Sequence, residues 1–199
     1  MLIIGAKGFA KEVLDTLSEN ELKKGIYFYD DINPNESNVI FNNFKIIKNK
    51  ELAENYFKTI DVRYTLGLGG VSLRKKISDI FTSLGGELTS TISTKAHIGG
   101  FTNIKQGCNI LPGSCISNGV SIGVGALIYY NVIITHDVRI GDFVELSPGC
   151  KLLGRVVVGN FITIGSGAII LPDIIIGDNV VIGAGAVVTK NIPNNSTVI

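Results

Sequence analysis

The sequence predicts a two-part fold: a small α/β domain over residues 1–88, then a parallel β-helix of hexapeptide repeats over residues 89–199. Two observations carry this. Every sixth residue from Ile98 to Val188 is aliphatic, through Ile104, Ile110, Ile116, Ile122, Ile128, Ile134, Ile140, Leu146, Leu152, Val158, Ile164, Ile170, Ile176 and Ile182. Two residues before each runs a second series of small or aliphatic residues, from Ala96 through Cys108, Val120, Val132, Val144 and Cys150 to Ala186. Upstream, residues 1–31 read as strand, glycine turn, helix and strand, closing on Asp30-Asp31.

A period of six fits neither a helix nor one alternating strand. It fits a chain that turns a corner every six residues, so that three hexads close one triangular coil. Stacked coils hydrogen-bond as parallel sheets and bury a continuous aliphatic ladder. Sixteen hexads make about five coils at roughly 4.8 Å spacing. Gly99, Gly107, Gly113, Gly119, Gly125, Gly141, Gly149, Gly159, Gly167, Gly177 and Gly185 mark the bends, where positive φ is cheap for glycine.

In chain order, Leu2-Ile3-Ile4 is a short buried strand and Gly5-Ala6-Lys7-Gly8 a glycine turn. Residues 11–20 form a helix with Val13, Leu14 and Leu17 on one face. Ile26 to Tyr29 is the second strand. This is a truncated, Rossmann-like mononucleotide-binding pattern, in which glycines let the backbone approach a phosphate at a helix N-terminus. Alone it also describes a plain packing turn, and Asp30-Asp31 a solvated one. Residues 32–43 are polar, contain Pro34, and read as a surface loop. Leu52, Ala53, Tyr56 and Phe57 predict a helix, and residues 62–68 a third strand ending in Gly67-Leu68-Gly69-Gly70. Ser72 is placed to cap a helix running to Leu84. Residues 85–93 lead into the first coil.

Lys and Arg number 18 and Asp and Glu 17, a net charge of +1, which gives no reason to expect nucleic acid or an anionic membrane surface as partner. The mean hydropathy of +0.35 comes from spaced rather than contiguous aliphatics, so no segment is expected to insert in a membrane. The first residues are too short an apolar run for a secretion signal, which predicts a cytoplasmic protein. Cys108 and Cys150 fall in the small-residue series and Cys115 beside it, so none is expected to bind metal.

There are two histidines. His97 lies in the first hexad and reads as a surface residue. His136 lies two residues past Ile134, off the core, with Asp137 beside it. Acyl transfer needs a base near neutral pH, and a carboxylate fixes the tautomer of such a histidine. On residue type alone a corner histidine beside a solvated aspartate is the better description of the pair. Two histidines cannot supply the three ligands of a β-helical zinc hydratase, and no threonine ladder suggests an ice-binding face.

The segment Thr135-His136-Asp137-Val138-Arg139-Ile140-Gly141-Asp142-Phe143-Val144-Glu145-Leu146-Ser147-Pro148-Gly149, set in this repeat, resembles the signature of hexapeptide-repeat sugar acyltransferases. These include N-acetyltransferases of nucleotide-linked 4-amino-4,6-dideoxy sugars and sialic acid O-acetyltransferases. The resemblance spans nearly the whole chain. It implies a left-handed β-helix, His136 as general base with Asp137, acetyl-CoA as donor without a metal, and a homotrimer with cofactor sites between neighbours. It places the nucleotide-sugar at Gly5, Gly8, Asp30, Asp31 and Gly67. It also places a donor to the thioester carbonyl at the Gly154 N–H, and the pantetheine arm near Ser166, Gly183 and Ala184. Relatives often carry histidine or a small residue where this chain has Phe9, asparagine where it has Tyr129 and a second histidine where it has Glu145, so Tyr129 and Glu145 are expected to shape the sugar pocket. A Gly-x-Pro-Ala-Lys segment is implied beyond Ile199. An amine suits a single His-Asp pair, because a neutral amine needs less activation than a hydroxyl. The resulting expectation is N-acetylation of a nucleotide-linked amino sugar for surface-polysaccharide or glycan assembly. Sialic acid O-acetylation is the alternative within enzymes, and a non-catalytic nucleotide-sugar-binding scaffold the alternative outside them.

Overall fold

A computed structural model describes residues 1–33 and 38–199. The first part is built on a sheet of β1 (Leu2–Ile4), β2 (Tyr27–Tyr29), β3 (Val39–Ile40), β4 (Phe44–Ile47), β5 (Arg63–Leu66) and β6 (Glu87–Leu88). Its order is β3-β4-β2-β1-β5-β6, parallel except for β3 against β4. The central strand β1 is buried on both sides, as crossover topology requires. Leu2 and Ile4 face a core with Tyr56, Phe57, Tyr64 and Phe81, while Ile3 faces Ala10, Val13 and Phe28. Helices α3 (Lys50–Thr59) and α4 (Val71–Ser83) contribute to the first of these cores, and α1 (Phe9–Glu12) to the second.

Three local expectations change. The helix expected over 11–20 breaks: α1 passes into a 3-10 turn at Val13–Thr16, and α2 (Glu19–Lys23) starts afresh. The cause is Ser18, whose hydroxyl accepts from the Glu21 N–H while the Glu21 carboxylate accepts from the Ser18 N–H, a reciprocal cap that starts a helix. The loop expected over 32–43 contains β3, which pairs Val39 with Lys45; residues 34–37, with Pro34, lie outside the described residues. Ser72 does not cap α4, whose N-cap is Gly70 with no cap from its own segment.

The solenoid starts at Thr91–Ile92, one hexad before Ile98, and its three faces hold seven, six and five strands. Strands pair in parallel with residues eighteen apart, as in Ile110 with Ile128 and Ile116 with Ile134. The sixteen aliphatic positions are each the second residue of a two-residue strand. From Ile110 to Val188 they are buried in one continuous core with the small series between them.

The glycines divide by cause. Every sixth residue from 107 to 185 has positive φ, and seven of the expected glycines (107, 113, 119, 125, 149, 167, 185) sit there; Asn131, Asp137, Phe143, Arg155, Phe161, Asp173 and Asn179 take the other corners. Gly99, Gly141, Gly159 and Gly177 do not have positive φ. They are glycine because the next coil presses on them: a Cβ on Gly159 would lie 2.5 Å from the Asp178 carboxylate. That contact belongs to a side-chain ladder along one edge. Asp142 accepts from the Val124 N–H, Asn160 from Asp142, Asp178 from Asn160 and Asn194 from Asp178, at 2.6–2.9 Å.

The α/β part lies against one face of the solenoid. There the outward residues Thr91, Asn109 and Leu127 are buried, and Phe143, stacked on Phe161 with centroids 6.0 Å apart, joins the α/β core.

Candidate active site

The expected nucleotide residues gather around one cavity of about 590 Å³, lined by residues of the α/β part. Gly5, Gly8, Asp30, Asp31 and Gly67 all border it. Its floor is fixed by close approach: Gly5 has φ +114, and a Cβ there would lie 2.5 Å from the Gly67 carbonyl oxygen. One wall is apolar, with Leu73, Ile77, Ile80 and Phe81; Lys7, Lys50 and Lys76 stand on the rim. Apolar surface beside cations suits a ring system attached to phosphates.

Asp30 and Asp31 differ. Asp30 is 9% exposed and organises the turn after β2, accepting from the Ile32 and Asn33 backbone N–H groups at 3.0 and 3.3 Å and from the Asn33 side chain. Burial opposes its charged form. The hydrogen bonds from Asn33 and Ile32, with Lys48 nearby, outweigh that and hold its carboxyl below the usual range. Asp31 is exposed on the cavity, with one oxygen accepting from the Tyr29 hydroxyl at 2.8 Å. Burial, with that bond, pushes the Tyr29 phenol up.

Tyr129 and Glu145, from the solenoid, meet the cavity at second hand. Tyr129 packs on Phe9, a lining residue, with ring centroids 5.2 Å apart. Burial and the nearby Glu145 push its phenol up to about 12. Glu145 accepts the Gly70 N–H at 2.8 Å and so supplies the cap α4 lacks; a carboxylate there also meets the positive end of the helix.

His136 and Asp137 occupy a solenoid corner and are exposed. His136 Nδ1 lies 2.9 Å from Asp137 Oδ2. Asp137 is held at φ +61, and its N–H donates to the Asn118 carbonyl one coil below. One coil above, the His136 ring edge covers Gly154, where a Cβ would sit 2.7 Å from both Cε1 and Nε2. The Gly154 carbonyl accepts from Asp173, and no described residue accepts from its N–H. On the same corner Arg155 holds Asp173 through two bonds of 2.6 and 2.7 Å.

Ser166 and Ala184 are exposed and stack eighteen residues apart at the other edge of the same face, with Gly183 beside them. Between the two edges run the outward residues Cys115, Ile133, Lys151, Ile169 and Val187. The cavity and the His136 corner therefore stand apart within one chain, since no residue beyond 81 lines the cavity. Cys108 and Cys150 are buried, and burial raises their thiols to about 11 and about 12. Among the described residues no group of three or more His, Cys, Asp and Glu is placed to hold a metal, and no helix is long and apolar enough to cross a membrane.

Sequence reasoning missed Arg74. It is 1% exposed and ties the cavity wall to the solenoid. In the run Arg74-Lys75-Lys76 it looks like part of a solvated face. Its position three before Ile77 and seven before Phe81, on the apolar stripe, was the available signal.

Residues 1–81 match the PglD N-terminal domain family, and residues 155–190 the bacterial transferase hexapeptide family of six repeats. A search of curated proteins finds none that matches the chain. Among solved structures, the acetyltransferase domain of PglB from Neisseria gonorrhoeae in complex with acetyl coenzyme A is 26% identical, with 98% of this chain and 93% of that one covered and a TM-score of 0.86. WeeI from Acinetobacter baumannii is 27% identical over 98% and 94%, with a TM-score of 0.84. PerB from Caulobacter crescentus, in complex with CoA and GDP-perosamine, is 25% identical over 97% and 90%, again at 0.84. The two family matches and these solved structures make the chain similar over nearly its whole length to acetyltransferases that join a PglD-type N-terminal domain to hexapeptide repeats.

Proposed function

We propose that the protein transfers an acetyl group from acetyl-CoA to the amine of a nucleotide-linked 4-amino-4,6-dideoxy sugar, for surface-polysaccharide or glycan assembly. The observation that carries this is the His136 corner: a histidine oriented by Asp137 and packed on a glycine whose N–H no described residue uses. Domain 1–88 holds the nucleotide and domain 89–199 performs the transfer.

Acetyl-CoA supplies an activated acyl group. With Nδ1–H donating to Asp137, the Nε2 lone pair of His136 takes the proton that the amine loses as it attacks the thioester carbon; the C–S bond then breaks and the departing CoA thiolate takes that proton up. Asp137 stabilises the resulting imidazolium. The Gly154 N–H donates to the acyl carbonyl oxygen, an effect worth about 3 kcal/mol in comparable sites. Gly154 fits this role because any side chain there would displace the base. Ser166, Gly183 and Ala184 line the path of the pantetheine arm.

In the cavity, the apolar wall takes the base, Gly5, Gly8 and Gly67 admit the phosphates closely, Asp31 contacts the nucleotide and Asp30 shapes the turn. Tyr129 and Glu145 bound the sugar. The separation of cavity and His136 corner in one chain supports a homotrimer, in which a neighbour's surface closes the face bearing the half-exposed Ile133 and Ile169 and the exposed Val187. Acetyl-CoA and nucleotide-sugars both place the reaction in the cytoplasm.

The test is thiol release from acetyl-CoA against UDP-, dTDP- and GDP-linked 4-amino sugars and free or CMP-linked sialic acid. Turnover with an amino sugar is expected. Turnover only with a sialic acid establishes O-acetylation instead, and turnover with none establishes a binding scaffold.

A further inference from the structure

Arg74 is buried to 1% exposure in α4, without a carboxylate bonded to it. A buried charge is costly unless its donors are met. Here all five N–H donors are met. Nη1 donates to the Leu68 carbonyl at 2.8 Å and the Leu66 carbonyl at 3.3 Å. Nη2 donates to Asn109 Oδ1 at 2.8 Å and, with Nε, to the Gly125 carbonyl at 3.1 and 3.4 Å. Asn109 is oriented in turn, donating to the Thr65 and Thr91 hydroxyls.

These partners lie on two sides of a seam. Leu66 and Leu68 bracket Gly67 in the wall of the nucleotide cavity, whereas Asn109 and Gly125 belong to the first coils of the solenoid. The seam is crossed again four residues before Arg74, where Glu145 accepts the Gly70 N–H. The Gly67 N–H is also committed, to the Ile4 carbonyl. The loop 66–70 is thus tied to the solenoid at both ends, directly at Gly70 through Glu145 and through Arg74 at Leu66 and Leu68.

We propose that Arg74 is a positioning residue for substrate: with Glu145 it forms a two-point tether that sets the cavity's glycine loop in register with the solenoid, and so sets where the nucleotide-linked sugar is presented. This rests on the reading of the cavity as a nucleotide-sugar site. A planar five-donor fork is what makes the tether rigid, and lysine, with three donors on one nitrogen, cannot reproduce it.

The experiment is Arg74→Lys in the full-length protein, with steady-state kinetics and amide hydrogen exchange. The expected result is a folded variant in which KM for the nucleotide-linked sugar rises about tenfold. KM for acetyl-CoA stays within about twofold, and exchange accelerates at the Gly67 and Gly70 amides, whose bonds to Ile4 and Glu145 the tether protects. If the variant does not fold, Asn109→Ala, which removes one of the five bonds, carries the same readouts. Equal rises in both KM values, or unchanged exchange in a folded variant, overturn the tether. If the wild-type protein turns over no nucleotide-linked amino sugar, the catalytic reading fails by itself, and exchange at Gly67 and Gly70 still decides the tether.

Discussion

The His136 ring lies on Gly154 one coil away, so close that a Cβ at 154 would stand 2.7 Å from Nε2. The stacking of coils therefore brings the imidazole and the glycine amide together, with no loop needed to assemble them. The paired strands Ile133–Ile134 and Lys151–Leu152 lead into the two stacked corners and hold both.

Gly154→Ala should separate activity from stability. Gly154 does not have positive φ, so the backbone tolerates alanine, and the only clash is with the base. The expected result is a fall in kcat of about tenfold to a hundredfold from the displaced ring, with little change in unfolding temperature. Kinetics beside thermal denaturation decide it; unchanged kcat would mean that the ring position is irrelevant.

Asp137→Asn keeps a residue type that accepts positive φ but removes the carboxylate that orients His136. A fall in kcat of about tenfold or more is expected, with an unchanged KM for the nucleotide-linked sugar. An equal loss with Asp173→Asn would point instead to general charge around the corner.

The cavity floor predicts a contrast between two glycines. Gly5→Ala forces a side chain into the Gly67 carbonyl at φ +114 and should cost about 2–3 kcal/mol. Gly8→Ala, at φ +36 with nothing within 4 Å, meets backbone strain alone and should cost less, about 1–2 kcal/mol. Denaturant unfolding of the two variants measures the difference, and equal costs would contradict the close approach of β1 to residue 67.

Asp30 predicts the acid limb of stability. Its carboxyl is held below the usual range in the fold, so its contribution is present above the unfolded value of about 4 and is lost as pH falls through the lower native value. Unfolding temperature against pH should fall less steeply below pH 4 for Asp30→Asn than for the wild type. Parallel curves would show that the turn does not stabilise the charge.

The solenoid was legible in the sequence because each inward position repeats the same requirement sixteen times, and the His136–Asp137 pair because adjacency in sequence is also adjacency at a corner. The glycines were legible as bends but not by cause: Gly141 and Gly159 are small because of the coil above, and that contact is invisible eighteen residues away. Long-range polar choices were equally hidden. Arg74 reads as surface until Asn109 and Gly125 lie beside it, and Ser72 reads as a cap until Glu145 takes that task from the other domain. The break at Ser18 was readable, since Glu21 stands three residues on, but the apolar face of Val13, Leu14 and Leu17 masked it.

Light scattering tests the proposed homotrimer. A mass of three times 21.3 kDa is expected in solution, and a stable active monomer would show that the cavity and the corner meet within one chain.

The most direct test of the account is kcat/KM for a nucleotide-linked 4-amino sugar in His136→Ala. The exposed ring carries no core packing, so the variant should fold as the wild type does. The account predicts a loss of about a hundredfold to ten-thousandfold, the usual share of a general base. A folded variant with wild-type kcat/KM would contradict it.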